Sequence, residues 1–357
     1  MLRRFGCDAW LMMVPVVLCA GVAIAQQPSR EDAAMDTIRG RTSITSNDVA
    51  RISDWVNREV RKLEGGRDGD NPGPLPSFLA RFADQYSNSA NTPDFRTQLV
   101  VQTNTLAAAK FSQANVSSLV AVGLAIVLVD FNRIEAFDAL LAGLSANNAD
   151  VRALCLAGLT NLQTAIEGDA AKLQQVVQTL RQAGANETDS TVLTHVYLAL
   201  AYNNQAALVF DAYMEILEKR LALRRGPAIF APCAEVELVE FFRLPSVVNG
   251  LSQQQKTQLI GRLAVLFRAD AQRYSAEKLK DYYEKTCLER RLYGIEAILV
   301  SVVGGGNSGR IRAALQKGGH EQRAEILGEV YKWVGDPDGQ TPGTLNAAPW
   351  NVPIGAP

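Results

Sequence analysis

Residues 133–166 read RIEAFDALLAGLSANNADVRALCLAGLTNLQTAI. In the first half Ile134, Phe137, Leu140, Leu141 and Leu144 recur at the spacing of one stripe on a 3.6-residue helix. Val151, Leu154, Cys155, Gly158, Leu159, Leu162 and Ile166 repeat that pattern in the second half. Asn148 or Asp150 stands where a side-chain oxygen accepts an orphan N–H at the start of the second helix. A connection as short as 145–148 folds the two helices back antiparallel. One such hairpin cannot cover both of its apolar faces, so it requires neighbours like itself.

The flanking sequence supplies them. Helical periodicity predicts hairpins over 94–111 and 115–130, 133–146 and 149–166, and 170–184 and 189–203, with a fourth, irregular unit over 206–225 and 233–242. The equivalent positions Leu124, Leu159 and Leu200 are 35 and 41 residues apart. Residues 119–129, LVAVGLAIVLV, are apolar on every side, which predicts a helix enclosed by its neighbours. Strand signals are nearly absent. The leucine-rich first helix, the turn ending Asp150-Val151-Arg152 and the alanine- and leucine-rich second helix resemble the HEAT-type repeats of exported bacterial chains. That resemblance implies an all-α fold, an α-solenoid of antiparallel helix hairpins forming a HEAT-like or ARM-like superhelix. It also implies that Asp150 caps the second helix and that Arg152 lies along the stack, bonded to the neighbouring turn.

Residues 1–25 have the three-part layout of a signal peptide: Arg3 and Arg4, an apolar run from Trp10 to Ala20, and Ala23-Ile24-Ala25 before Gln26. Cleavage is expected after Ala25, because the run is interrupted by Pro15 and is too short to cross ~30 Å of hydrocarbon. No stable membrane anchor is expected after cleavage. The expected organisation is then 26–64 with one amphipathic helix, a Gly/Pro-rich linker over 65–77, helical repeats over 78–245, a C-terminal helical and capping region over 246–334, and a disordered Gly/Pro-rich tail over 335–357.

Chemistry-bearing patterns are sparse. The two histidines, His195 and His320, lie 125 positions apart without metal-ligand spacing around them. His195 sits among apolar residues and reads as a core or groove-edge histidine. The glycine-rich 304–310 segment, GGGNSGR, places Arg310-Ile311 where a phosphate loop needs Lys followed by Ser or Thr, so a helix connection is expected. Asp68 with Asp70, and Asp336 with Asp338, lack the further ligands of a calcium loop. The Arg220, Arg224, Arg225 and Arg290, Arg291 clusters lie among helical acids and read as solvated faces. A net charge of −1 excludes an electrostatic case for nucleic acid. In an oxidising compartment Cys155 is expected to be an inert core thiol, leaving Cys233 and Cys287 as the pair open to a disulfide.

No catalytic, cofactor-binding or metal-binding residue can be assigned. The expectation is an exported, periplasmic or secreted, non-enzymatic scaffold that binds a protein or peptide along the concave face of the array. A structural or assembly protein of the bacterial envelope, with self-association, is the second reading, and an enzyme whose site is scattered across the stack is the third.

Overall fold

The computed structural model describes residues 30–66, 73–223, 233–276, 282–304, 309–317 and 319–353. The expected signal segment, its cleavage point after Ala25, and the acidic pair Asp68 and Asp70 lie outside the described residues. Among the described residues the chain is all-α, without a strand. The helices are α1 (Arg30–Arg39), α2 (Ser46–Gly65), α3 (Pro74–Ser87), α4 (Pro93–Phe111), α5 (Ser118–Phe131), α6 (Phe137–Gly143), α7 (Ala149–Asn161), α8 (Gln163–Glu167), α9 (Ala170–Asn186), α10 (Ser190–Ala199), α11 (Ala206–Leu223), α12 (Glu235–Phe242), α13 (Pro245–Asn249), α14 (Gln253–Ser275), α15 (Tyr282–Val303), α16 (Arg310–Leu315) and α17 (Gly319–Val334).

Local chemistry sets where many of them start. Thr45 and Asp48 form a capping box at α2, and Ser252 with Gln255 does the same at α14. Thr92 caps α4 ahead of Pro93, whose missing N–H costs nothing at the first helical position. Asp169 and Asp189 each accept two backbone N–H groups at the starts of α9 and α10. At α7 the cap is Asn148, whose Oδ1 accepts from Asp150 N at 2.8 Å. The expected cap role of Asp150 therefore belongs to the residue two positions earlier, the one placed to reach the first free N–H groups.

The helices pack in two interleaved series. In one, α2 lies on α4, and α4 on α6; further along, α9 lies on α11, α11 on α14, and α14 on α17. In the other, α3 lies on α5, α5 on α7, α7 on α10, α10 on α12, and α12 on α15. Hairpin partners α2 and α3, α4 and α5, α6 and α7, α9 and α10, and α14 and α15 also touch. The stripe of residues 133–166 fills the space between them: Phe137, Leu140, Leu144, Val151, Cys155, Leu159, Leu162 and Ile166 are all buried, with Leu154 only half-buried and Leu156 taking its place. Each such aliphatic side chain contributes roughly 1.5–3 kcal/mol when withdrawn from water. Two glycines allow α6 and α7 to approach. A Cβ on Gly143 would overlap Cys155 Sγ, and one on Gly158 would stand 2.8 Å from Leu140 Cδ2.

Several polar groups join neighbouring helices at intervals of 34–36 residues, beside others that span more. Arg133 Nη2 donates to Thr97 Oγ1, 36 residues away. Ala139 N donates to Asn104 Oδ1 and Arg152 Nε to Glu187 Oε2, each across 35 residues. Gln163 Nε2 reaches Leu198 O across 35, and Arg181 reaches Glu215 across 34.

Several boundaries differ from those the sequence suggests. The N-terminal segment holds two helices, because Met35 and Ile38 give α1 just enough apolar surface to bury against α2. The 65–77 linker is shorter than its composition implies: Gly65 still belongs to α2 and Pro74 opens α3, with 67–72 outside the described residues. The packing series also begins at α2 and α3 rather than near residue 78 or 94, and it continues past 245 through α14 and α15. The expected 149–166 helix breaks at Leu162 into α7 and α8. Residues 335–353 are not a coreless tail. Leu345 and Val352 are buried, Gly335 and Gly339 adopt positive φ to turn the chain, and Asn346 Nδ2 donates to Val352 O at 2.7 Å.

Candidate binding groove

The first packing series is weakest between α6 and α9, and a groove of about 290 Å³ lies there, lined by Ile134, Glu135, Phe137, Asp138, Lys172 and Gln175. Its near wall follows from the end of α5. Asn132 takes a left-handed conformation, φ 46° and ψ 49°, which reverses the chain into a 3-10 turn over Ile134–Ala136 and then the seven-residue α6. Arg133 pins that turn to α4 through Thr97 Oγ1 at 3.3 Å. Asn104 Oδ1 accepts the N–H of Ala139 at 2.8 Å, satisfying a donor that the start of so short a helix leaves free. The far wall is the first turn of α9, where Lys172 Nζ lies 2.9 Å from its cap residue Asp169 and 5.9 Å from the centroid of the Phe137 ring.

Glu135 and Lys172 are each favoured in the charged form. Hydrogen bonds from Arg133, at 2.8 and 3.2 Å, lower the Glu135 carboxyl below its usual range against the opposing effect of partial burial. The hydrogen bond to Asp169, then its charge and that of Asp138, raise the Lys172 ammonium above its usual value. Neither is the shift that a lysine nucleophile or a carboxylic general acid requires. A lysine nucleophile needs its ammonium destabilised, and a carboxylic general acid needs its proton held more tightly. The groove instead presents an apolar floor, Ile134 and the buried Phe137, beneath a rim of fixed charges. That arrangement suits the docking of a side chain.

Arg152 reaches two turns at once. Its guanidinium forks onto Glu187 at 2.8 and 3.1 Å, and its remaining amino group donates to Ala146 O and Asn147 O of its own turn. Cys233 and Cys287 are joined in a disulfide, while Cys155 is a free, buried thiol whose pKa burial drives far upward. His195 is half-buried on α10, and burial lowers its imidazole pKa. His320 belongs to α17, far along the chain. Asp338 N donates to Asp336 Oδ1 at 2.8 Å, so that aspartate closes its own turn. Among the described residues no group of His, Cys, Asp and Glu is placed to hold a metal ion, and no helix is long and apolar enough to cross a membrane.

After the glycine-rich segment, the N–H groups that open α16 meet a carboxylate. Glu296, buried on α15, accepts from Gly309 N at 3.1 Å and Ile311 N at 3.0 Å at the start of α16. Its pKa is raised, with burial outweighing these hydrogen bonds. No sequence pattern marks this pairing beyond a glutamate on an otherwise apolar helix face.

The arginine clusters are the clearest departure from the sequence reading. Arg220 and Arg291 do not lie on solvated faces; both are buried, and Arg224 and Arg225 lie outside the described residues. Arg220 Nε donates to Glu235 Oε1 at 2.9 Å, Arg291 Nη1 donates to Glu235 Oε2 at 2.8 Å, and Arg291 also bonds Asp270. Four charges from α11, α12, α14 and α15 thus neutralise one another inside the fold. A charge at a stripe position was the available signal, since Arg291 follows Leu288 and precedes Leu292 and Ile295 on the buried side of α15.

Compared with known proteins, the chain matches no protein-family model, no curated protein and no solved structure.

Proposed function

We propose that this chain is an exported, non-enzymatic binding scaffold, an α-solenoid of HEAT-like hairpins that takes an extended protein or peptide segment at the groove between α6 and α9. The carrying observation is that groove. It opens where helix packing in the first series thins, it has an apolar floor, and Glu135 and Lys172 on its rim are each held in the charged form by a neighbouring partner. The solenoid reading is supported by the alternating packing of each helix on its counterpart in the next unit and by the 34–36-residue interval of several polar links.

A photo-crosslinking residue at the exposed position Gln175, used in intact cells and followed by mass spectrometry, is expected to recover the same protein repeatedly. Asp138→Lys and Lys172→Glu reverse the rim charges without touching the floor, and each is expected to weaken that partner's binding by about tenfold or more while the helical circular dichroism is unchanged. Binding unchanged by both reversals would remove the groove from the proposal. Absence of a crosslinked partner, together with turnover of a soluble substrate, would replace the scaffold with an enzyme.

A further inference from the structure

We propose that the Cys233–Cys287 disulfide is a redox latch on the C-terminal part of the fold, closing the helices around the buried charge quartet and releasing them when reduced. The bond spans 54 residues and joins the two segments of chain that carry Glu235 and Arg291. Cys233 lies two residues before Glu235, and Cys287 one helical turn before Arg291, so the bond fixes the start of α12 against α15 where the Arg291–Glu235 pair must form. The two devices depend on each other. The disulfide holds the carboxylate in place, and the ion pairs hold the two sulfur-bearing segments together.

The interior at this point is unusually ready to open. Glu235, Asp270 and Arg291 are fully buried, and separated charges regain hydration in water, so an open state is less disfavoured here than around an apolar core. Access to the bond is one-sided. Cys233 is half-exposed and Cys287 is buried, which directs attack to the Cys233 sulfur. A dithiol reductant supplies the electrons. One of its thiolates bonds to Cys233 Sγ and the S–S bond breaks, with Cys287 leaving as a thiolate that takes up a proton. The reductant's second thiolate then closes its own disulfide and expels Cys233, so two electrons and two protons pass to the protein. Cys155 does not compete in exchange, because it is buried and its thiol is held protonated.

The effect is expected to stay local, because α12 packs mainly on α10, α13 and α15, with α10 and α7 standing between it and α5. The test is amide hydrogen exchange on the oxidised full chain before and after treatment with a small dithiol. Reduction is expected to speed exchange at least tenfold in 235–242 and around Asp270 and Arg291, and to leave 93–131 unchanged. Cys233→Ser/Cys287→Ser should show the same pattern without reductant, which keeps the test usable if the reduced chain aggregates. The latch is overturned by free thiols at both Cys233 and Cys287 in the oxidised, denatured chain, by exchange that does not change on reduction, or by a rise spread evenly from α2 to α17. None of these outcomes bears on the groove, since this inference rests on the bond and the quartet alone.

Discussion

The units from α2 to α10 and those from α11 to α17 share the same alternating helix packing, yet the ion cluster of the second lies out of water, while that of the first, Glu59 with Arg58, Lys62 and Arg81, keeps its cations partly exposed. In the first region part-buried links recur at intervals of 35–36 residues, as from Arg152 to Glu187, beside longer ones such as Lys110 to Glu64 across 46. In the second they are buried and span 15, 21 and 56 residues within one quartet, with Arg268 reaching Val334 O across 66. A repeated, partly exposed link registers one unit on the next at little cost in desolvation. A buried network makes several helices interdependent, and each member is expensive to lose.

That contrast sets the largest expected effect. Arg291→Met removes the guanidinium shared by Glu235 and Asp270 and leaves two carboxylates buried with less compensation. Loss of one partner from a buried network costs about 3–5 kcal/mol. The variant is expected to lower the urea midpoint followed by probes in α14 and α15, while probes in α4 and α5 keep theirs. If the quartet contributes no more than the partly exposed links, the loss will fall below about 1 kcal/mol and the contrast between the regions disappears.

The smaller effect belongs to the turn-to-turn links. The side chains of Arg152 and Glu187 are 18% and 8% exposed, so screening is partial, and the bidentate bond is worth about 1 kcal/mol, the upper end of the range for surface pairs. Arg152→Ala also frees Ala146 O and Asn147 O, but these face a turn that water can reach. The expected result is a small decrease in thermal midpoint that shrinks further in high salt. A salt-independent loss as large as that of Arg291→Met would mean that Arg152 is a buried strut after all.

The two regions also differ in how much of them the sequence discloses. Apolar periodicity reports burial directly, so the stripe from Phe137 to Ile166 and the enclosed helix α5 are visible without coordinates. Cap residues such as Thr92 are equally local. The quartet is not, because nothing near Arg291 announces that its partners lie 21 and 56 residues away. The groove escapes for a related reason. It depends on thinner packing after the short α6, and neither the 3-10 turn at Ile134–Ala136 nor the break at Leu162 interrupts the apolar spacing that suggests longer helices. Composition misleads at the C-terminus, where glycines and prolines imply coil although Leu345, Val352 and the Asn346 hydrogen bonds anchor the segment to α17.

The smallest effect should appear at the entry to the first region, and it is a matter of pH. Asp48 closes the capping box of α2, where the Thr45 hydroxyl donates to its Oδ2 at 2.8 Å and the Thr45 N–H donates at 3.1 Å, while Arg41 donates to both oxygens at 2.7 and 2.8 Å. The hydroxyl bond does most to lower the carboxyl pKa; burial opposes it, and the backbone and Arg41 contacts add to the lowering. A carboxyl whose folded pKa lies below its unfolded value stabilises the fold fully above the unfolded value, about 3.9 for aspartate, and loses that contribution as pH falls through the folded value. Asp48→Asn removes the charge and with it this dependence. Thermal midpoints of the two chains are therefore expected to differ most near neutral pH and to converge below about pH 4. A difference that stays constant down to pH 2.5, or widens there, would mean that Asp48 serves α2 through shape alone and that the first region carries no acid-sensitive cap.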